Sequence, residues 1–224
     1  VTPGTIIEPE LLEEGINNFL ASLVVVGDVA GLALVDISTG EFLVTMLSSP
    51  LERSISDELV RMKVAEILVP ENIPSEVVEF ITRSFPDIVI TRQPVEKFDV
   101  ELCTESILRH FGLSTLKGLG IDANAELISA VGSVLQYLTQ TQREAVPHLD
   151  LPRLYLPTHY VILDSNTQRN LELVESLYDR SKKATLLGVL DRTLTPMGLR
   201  RLRQWILRPL RDIKEIGLRL DAVE

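Results

Sequence analysis

The chain has 224 residues, 45% of them hydrophobic and 24% charged, and a formal net charge of −10, the composition of a globular protein long enough for one large domain or two modest ones. No run approaches the roughly 18 consecutive apolar residues of a membrane span, and the opening VTPGTIIEPE has neither the basic nor the apolar region of a signal peptide. One cysteine, Cys103, excludes an internal disulfide and a cysteine-based zinc centre, so a reducing cytoplasm is the expected compartment.

Residues 1–9 read as an extended lead-in punctuated by Pro3, Gly4 and Pro9. FLASLVVVG, GLALVDIS and EFLVTMLS follow in quick succession, separated by turn chemistry at Asp28–Gly31 and Ser38–Gly40, and predict a meander of three antiparallel strands. In the middle strand Ala33, Val35 and Ile37 point one way and Leu32 and Leu34 the other. Both faces are apolar, so layers are expected on both sides of the sheet. The period then changes. Leu51, Ile55, Leu59 and Met62 form a helical stripe, AEILVP a buried strand, PSEVVEFITRSF a helix and DIVI a short strand. The order βββαβαβ over residues 10–92 predicts an α/β mixed sheet.

Two helices are expected next, over Glu101–Phe111 with Gly112 as its stop, and over Ala123–Thr141 with the stripe Leu127, Val131, Val134, Leu135 and Leu138. AVPHLDLPRLYLPTHY, with three prolines, reads as an inter-domain connector with a boundary near 145–155. Beyond Tyr160 the chain reads as helical. One helix is expected to follow a cap at Asp164 or Ser165, with Leu171, Val174 and Leu177 on one side. Another is bounded by Thr195, Pro196 and Pro209, and a last one opens on Asp212 and Glu215 in capping-box spacing and runs toward Glu224. An unfinished helix suggests a segment of a longer protein. Charge divides the chain: residues 1–150 carry 9 Lys+Arg against 23 Asp+Glu, residues 151–224 carry 13 against 9. The acidic part repels phosphate as a whole.

The basic helix LDRTLTPMGLRRLRQWILRPL stands out in an acidic chain. At 100° per residue Leu199, Leu202 and Ile206 share one face, with Trp205 on its flank, and Arg200, Arg201, Gln204 and Arg208 share the other. Two readings are open: the solvated face of a packed helix, or a helix contacting phosphates. Asp36 is the residue a metal-dependent nuclease built on this βββαβ order would use, with Asp28 and Glu41 near it in sequence, yet a full set of converging carboxylates is not evident from spacing. KGLGIDA lacks the third glycine and the preceding strand of a dinucleotide site, no phosphate loop is present, and His110, His148 and His159 are scattered.

From Leu186 onward, LLGVLDRTLTPMGLRRLRQWILRPL follows L-D-x-T-x-T-x-x-G-x-R-x-L-x-x-W-L-x-x-P-L, with Ile206 for the leucine after the tryptophan. This stretch resembles the MutS family of DNA mismatch repair ATPases. LDSNTQRNLEL, VTPGT, LALVDISTGEF and VLQYLTQTQ add matches in the family's order along the whole chain. The resemblance implies an α/β part followed by an all-α part. Residues 1–9 would be a linker from a mismatch-reading domain, 10–150 a connector of ribonuclease-H-like fold without its catalysis, and 154–224 the first helices of the helical core or lever domain. The family's Phe-x-Glu mismatch reader is expected upstream of Val1, its ATPase and clamp beyond Glu224. The resemblance thus implies a non-catalytic segment with no metal or cofactor of its own, in a homodimeric parent that uses ATP and Mg²⁺ and contacts DNA elsewhere. It also implies a docking surface for MutL near Glu105 and Ser106, where some members carry amides.

Overall fold

In the computed structural model, residues 2–5, 17–141, 149–156, 160–161, 163, 165–179 and 181–222 are described; His148, His159 and Asp164 lie outside them. Two compact units divide between Tyr155 and Leu156. Unit 1 holds a six-stranded sheet. Its strands are β1 (Phe19–Val26), β2 (Val29–Asp36), β3 (Glu41–Ser48), β4 (Val64–Pro70), β5 (Val89–Gln93) and β6 (Arg153–Leu154). Their spatial order is β5-β4-β1-β2-β3-β6. The first three are antiparallel, with Leu23 opposite Leu32 and Ala33 opposite Val44. β4 lies parallel to β1, β5 to β4 and β6 to β3.

The helices of unit 1 are α1 (Leu51–Met62), α2 (Ser75–Ser84), α3 (Val100–Phe111) and α4 (Ala125–Thr141). Alternation along the strands divides the core. Leu20, Ala33, Val35, Phe42, Val44 and Leu68 cluster with Cys103 and Ile107 of α3 and with Leu127, Val131, Val134, Leu135 and Leu138 of α4. The intervening Leu23, Leu32, Leu34 and Ile67 are equally buried, as are Ile55 and Leu59 of α1 and Ile81 of α2. A meander apolar on both faces is therefore sandwiched between helical layers, the ribonuclease-H-like arrangement. Fully burying each of these aliphatic side chains contributes about 1.5–3 kcal/mol relative to exposure.

One part of the proline-rich connector is not connector at all. Arg153 and Leu154 pair with Leu43 and Val44, and the Tyr155 amide donates to the Val44 carbonyl at 2.9 Å. Pro152 precedes this strand at the sheet edge, where its missing N–H costs no ladder bond.

Unit 2 contains α5 (Ser165–Asn170), α6 (Leu186–Leu190), α7 (Pro196–Leu207) and α8 (Ile213–Asp221). The helix expected through Leu177 stops at Asn170 instead. Glu172 takes a left-handed backbone with φ 46°, and the chain turns so that Leu173 and Val174 are buried while Leu171 and Leu177 stay exposed. The Glu172 and Leu173 carbonyls then accept from the Leu186 and Leu187 amides. Propensity alone does not show this backbone exchange, which outweighs a weak helical stripe. The last helix closes at Asp221, capped by Ala222.

α3 and α4 come into close contact at Gly132, where a Cβ would lie 2.3 Å from Cys103 Cβ. Burial, with the charge of Asp99 adding to it, pushes the Cys103 thiol up to about 12. Gly132→Ala is expected to cost about 2 kcal/mol or more by overpacking, read as a lowered urea midpoint. Maleimide labelling of Cys103 at pH 8 should run about three orders of magnitude slower in the native chain than in urea.

Candidate functional site

α3 is fixed by its ends and by its buried side. The Asp99 carboxylate accepts from the Glu101 and Leu102 amides at 3.0 Å each, and Gly112 closes the helix in the left-handed region. Cys103 and Ile107, four residues apart, anchor one side in the core. Glu105 therefore projects to solvent, where it pairs with Arg109 one turn later. Ser106 is half-buried beside it. Exposed Leu102 adds apolar surface near Glu105. An exposed pair of this kind is worth only about 0.3–0.5 kcal/mol, so Glu105 can exchange Arg109 for an outside partner at little cost.

Asp36 ends β2 on the opposite side of the antiparallel pair from Glu41. Its Oδ1 accepts from the Ser38 amide at 2.9 Å and the Ser38 hydroxyl at 2.7 Å. Its Oδ2 accepts from Asn17 Nδ2 at 2.8 Å. Asn17 Nδ2 also reaches Glu41 Oε2 at 3.4 Å. Asp36 and Glu41 are thus brought together and bridged by an amide. Asp28 sits in the turn before β2 begins, about 26 Å from Asp36 at the rise of a strand. Among the described residues no three His, Cys, Asp or Glu side chains converge as a metal site. The arrangement is that of a stapled β-turn.

In unit 2, Thr195 caps α7 by accepting from the Gly198 amide, with Pro196 in the first turn. Leu199, Leu202 and Ile206 pack against a cluster of Leu173, Val174, Leu187 and Leu207. Arg203 is buried on this side and reaches Glu175 at 3.2 Å, a contact without a spacing signal, since the partner comes from the irregular 171–179 segment. Trp205 is half-buried and sits near two guanidinium groups: Arg201 lies 5.6 Å and Arg219 of α8 4.8 Å from its ring centroid. Burial, and then the charge of Arg201, lower Arg219 from its ordinary value. The buried Arg200 Nε and Trp205 Nε1 have no hydrogen-bond partner among the described residues. Arg201 is exposed, whereas Arg200 and Arg208 are half-buried.

The L-D-x-T stretch that precedes α7 is a second built turn. Asp191 Oδ1 accepts from the Thr193 amide at 3.0 Å and its hydroxyl at 2.6 Å, and Oδ2 pairs with Lys182. The Lys182 and Thr193 bonds hold the Asp191 carboxyl well below the usual carboxylate range. A depressed folded value means that this contribution to stability is full above the unfolded value of about 3.9 and is lost as pH falls toward the folded one. An NMR titration should find Asp191 still ionised where ordinary aspartates have protonated, and Thr193→Val should move its midpoint upward.

Comparison with known proteins matches residues 18–150 to MutS domain II and residues 166–224 to MutS domain III. Proteins named DNA mismatch repair protein MutS are 37% identical in Trichormus variabilis, 37% in Halothermothrix orenii and 38% in Nostoc punctiforme, each alignment covering 100% of this chain. The same alignments cover 27%, 25% and 26% of those relatives, so the chain spans about a quarter of their length. Among the described residues no helix is long and apolar enough to cross a membrane. With a ribonuclease-H-like sheet matching domain II, a helical unit matching domain III and whole-chain identity above 35% in these three relatives, the chain belongs to the MutS family.

Proposed function

We propose that this chain is the connector and the beginning of the lever in a DNA mismatch repair protein, coupling mismatch recognition on one side to an ATPase on the other. The observation that carries this reading is the serial match of domains II and III to one continuous chain that covers about a quarter of its relatives. ATP, Mg²⁺ and the principal DNA contacts then belong to the rest of a longer, homodimeric, cytoplasmic protein. Residues 1–150, linker and connector together, carry 23 acidic against 9 basic residues, which disfavours direct DNA binding by that part. The nuclease reading of Asp36 loses support, because donors from Ser38 and Asn17 already engage both carboxylate oxygens. Boundaries at 10–150 and 154–224 are part of the proposal.

MutL is the partner proposed for the exposed face of α3. Glu105 supplies an acceptor on its outward side, and Ser106 a hydroxyl beside it. On α7, Arg200, Arg201 and Arg208 are proposed as sequence-independent phosphate contacts, a role that needs positive charge and no base readout. Surface-coupled chain titrated with MutL is expected to bind, with affinity about tenfold weaker after Glu105→Lys, which reverses a charge at the contact. Absence of binding by the native chain, or an unaltered affinity in Glu105→Lys, would sink the docking assignment. Duplex DNA should bind weakly, without preference for a mismatch and uncut, with affinity falling steeply as salt rises.

A further inference from the structure

Two buried carboxylates of unit 1 lie in consecutive elements, Glu58 in the third turn of α1 and Glu66 in β4. Both are about 1% exposed or less, and each holds one end of the chain that makes up the unit. Burying such groups is costly unless donors surround them.

The incoming end is a compact knot. Residues Pro3–Thr5 form a single 3₁₀ turn. The Thr2 amide donates to Thr5 Oγ1 at 2.8 Å, and the Thr5 amide to the Thr2 carbonyl at 2.9 Å. The knot then attaches to the sheet at two points. Asn18 Nδ2 donates to the Pro3 carbonyl at 2.7 Å. The Gly4 amide donates to Glu66 Oε2 at 3.1 Å. The other oxygen of Glu66 accepts from Thr91 of β5 and from the phenol of Tyr137 of α4, each at 2.7 Å. The Tyr137 hydroxyl lies 3.3 Å from Thr2 Oγ1, so the ring of contacts closes on the knot. The seat is built for glycine: a Cβ on Gly4 would lie 2.9 Å from Glu66 Cβ and 3.0 Å from Leu20 Cδ1.

The outgoing end is gripped in the same manner. Tyr155 follows β6 as the last residue of unit 1. Its hydroxyl donates to Glu58 Oε2 at 2.6 Å, while Arg61 Nη1 donates to Glu58 Oε1 at 2.7 Å. Glu58 and Arg61 form a buried ion pair, so the carboxylate is neutralised while it holds the tyrosine.

We propose that unit 1 seizes its incoming and outgoing chain through Glu66 and Glu58, so that displacement at either end reaches the α1–β4 layer of the sheet directly. Glu66 is a three-way junction in this device. It ties the incoming knot to β5 and α4 as well as to its own strand, and loosening the knot leaves a buried carboxylate short of one donor. The purpose of such a relay rests on the connector reading; the grip itself does not.

Hydrogen exchange on the whole chain tests it. Gly4→Ala should speed exchange about tenfold or more at residues 2–5 and also at 89–93 and 135–139, with β2 and β3 unaffected. Tyr137→Phe, which removes one hydroxyl and keeps the packing, should act on the same three segments, and it serves if Gly4→Ala does not fold. Tyr155→Phe should act on 150–155 and the last turn of α1 alone. Unchanged exchange at residues 2–5 in both Gly4→Ala and Tyr137→Phe would refute the grip. Changes confined to residues 2–5 would refute the relay through Glu66. Loss of MutL binding with the exchange coupling intact would strike the connector reading and leave the grip standing.

Discussion

The structure of unit 1 turns on the need to cover a strand trio that is apolar on both faces. Leu32 and Leu34 cannot be buried by the layer that buries Ala33 and Val35, because consecutive side chains leave a strand in opposite directions. Two helical layers are the solution, one from α1 and α2 and one from α3 and α4. Once the sheet is enclosed, every polar group left inside must find a partner there. Ser22 meets Ser133 at 2.8 Å, Ser129 donates to the Phe98 carbonyl at 2.6 Å, and Glu58 and Glu66 gather their donors from distant parts of the chain. The polar contacts that pin the ends of the unit follow from the decision to bury the sheet.

Among the described residues no acidic centre converges on the enclosed sheet. Asp36, at the end of β2, is drawn back into its own turn by Ser38 and toward Asn17. A carboxylate whose lone pairs are directed at protein donors has little left to offer an ion.

The strand meander, the alternation of its faces, the stripes of α1 and α4 and the stop at Gly112 were legible because each is a local property: period, turn residues and caps. The order βββαβαβ was legible for the same reason, while its ribonuclease-H-like character came from the family resemblance. β6 was not, since two residues between prolines have no period and exist only because Leu43 and Val44 offer a free edge. Nor was the early end of α5, where Glu172 adopts a left-handed backbone that its identity does not announce. For the candidate sites, spacing told which side chains share a helix face, such as Arg200 with Arg201, or Leu199 with Leu202 and Ile206. It said nothing of partners that come from far away in sequence. Glu175 beneath Arg203, Arg219 near Trp205 and Tyr137 on Glu66 are all products of tertiary placement. Glu66 in particular lies within a strand read as buried, and its three donors come from Gly4, Thr91 and Tyr137.

The chain has one cysteine and one tryptophan, and they fall in different units. Cys103 is sealed between α3 and α4, and Trp205 lies near arginines from α7 and α8. Each unit therefore contains its own native reporter, a thiol for the sheet and an indole for the helices. Thiol accessibility and indole fluorescence followed in one sample trace the loosening of the two units separately, without any label foreign to the protein. Coincidence of the two signals would mark the units as a single cooperative body, and their divergence would measure the independence that a joint between domains requires.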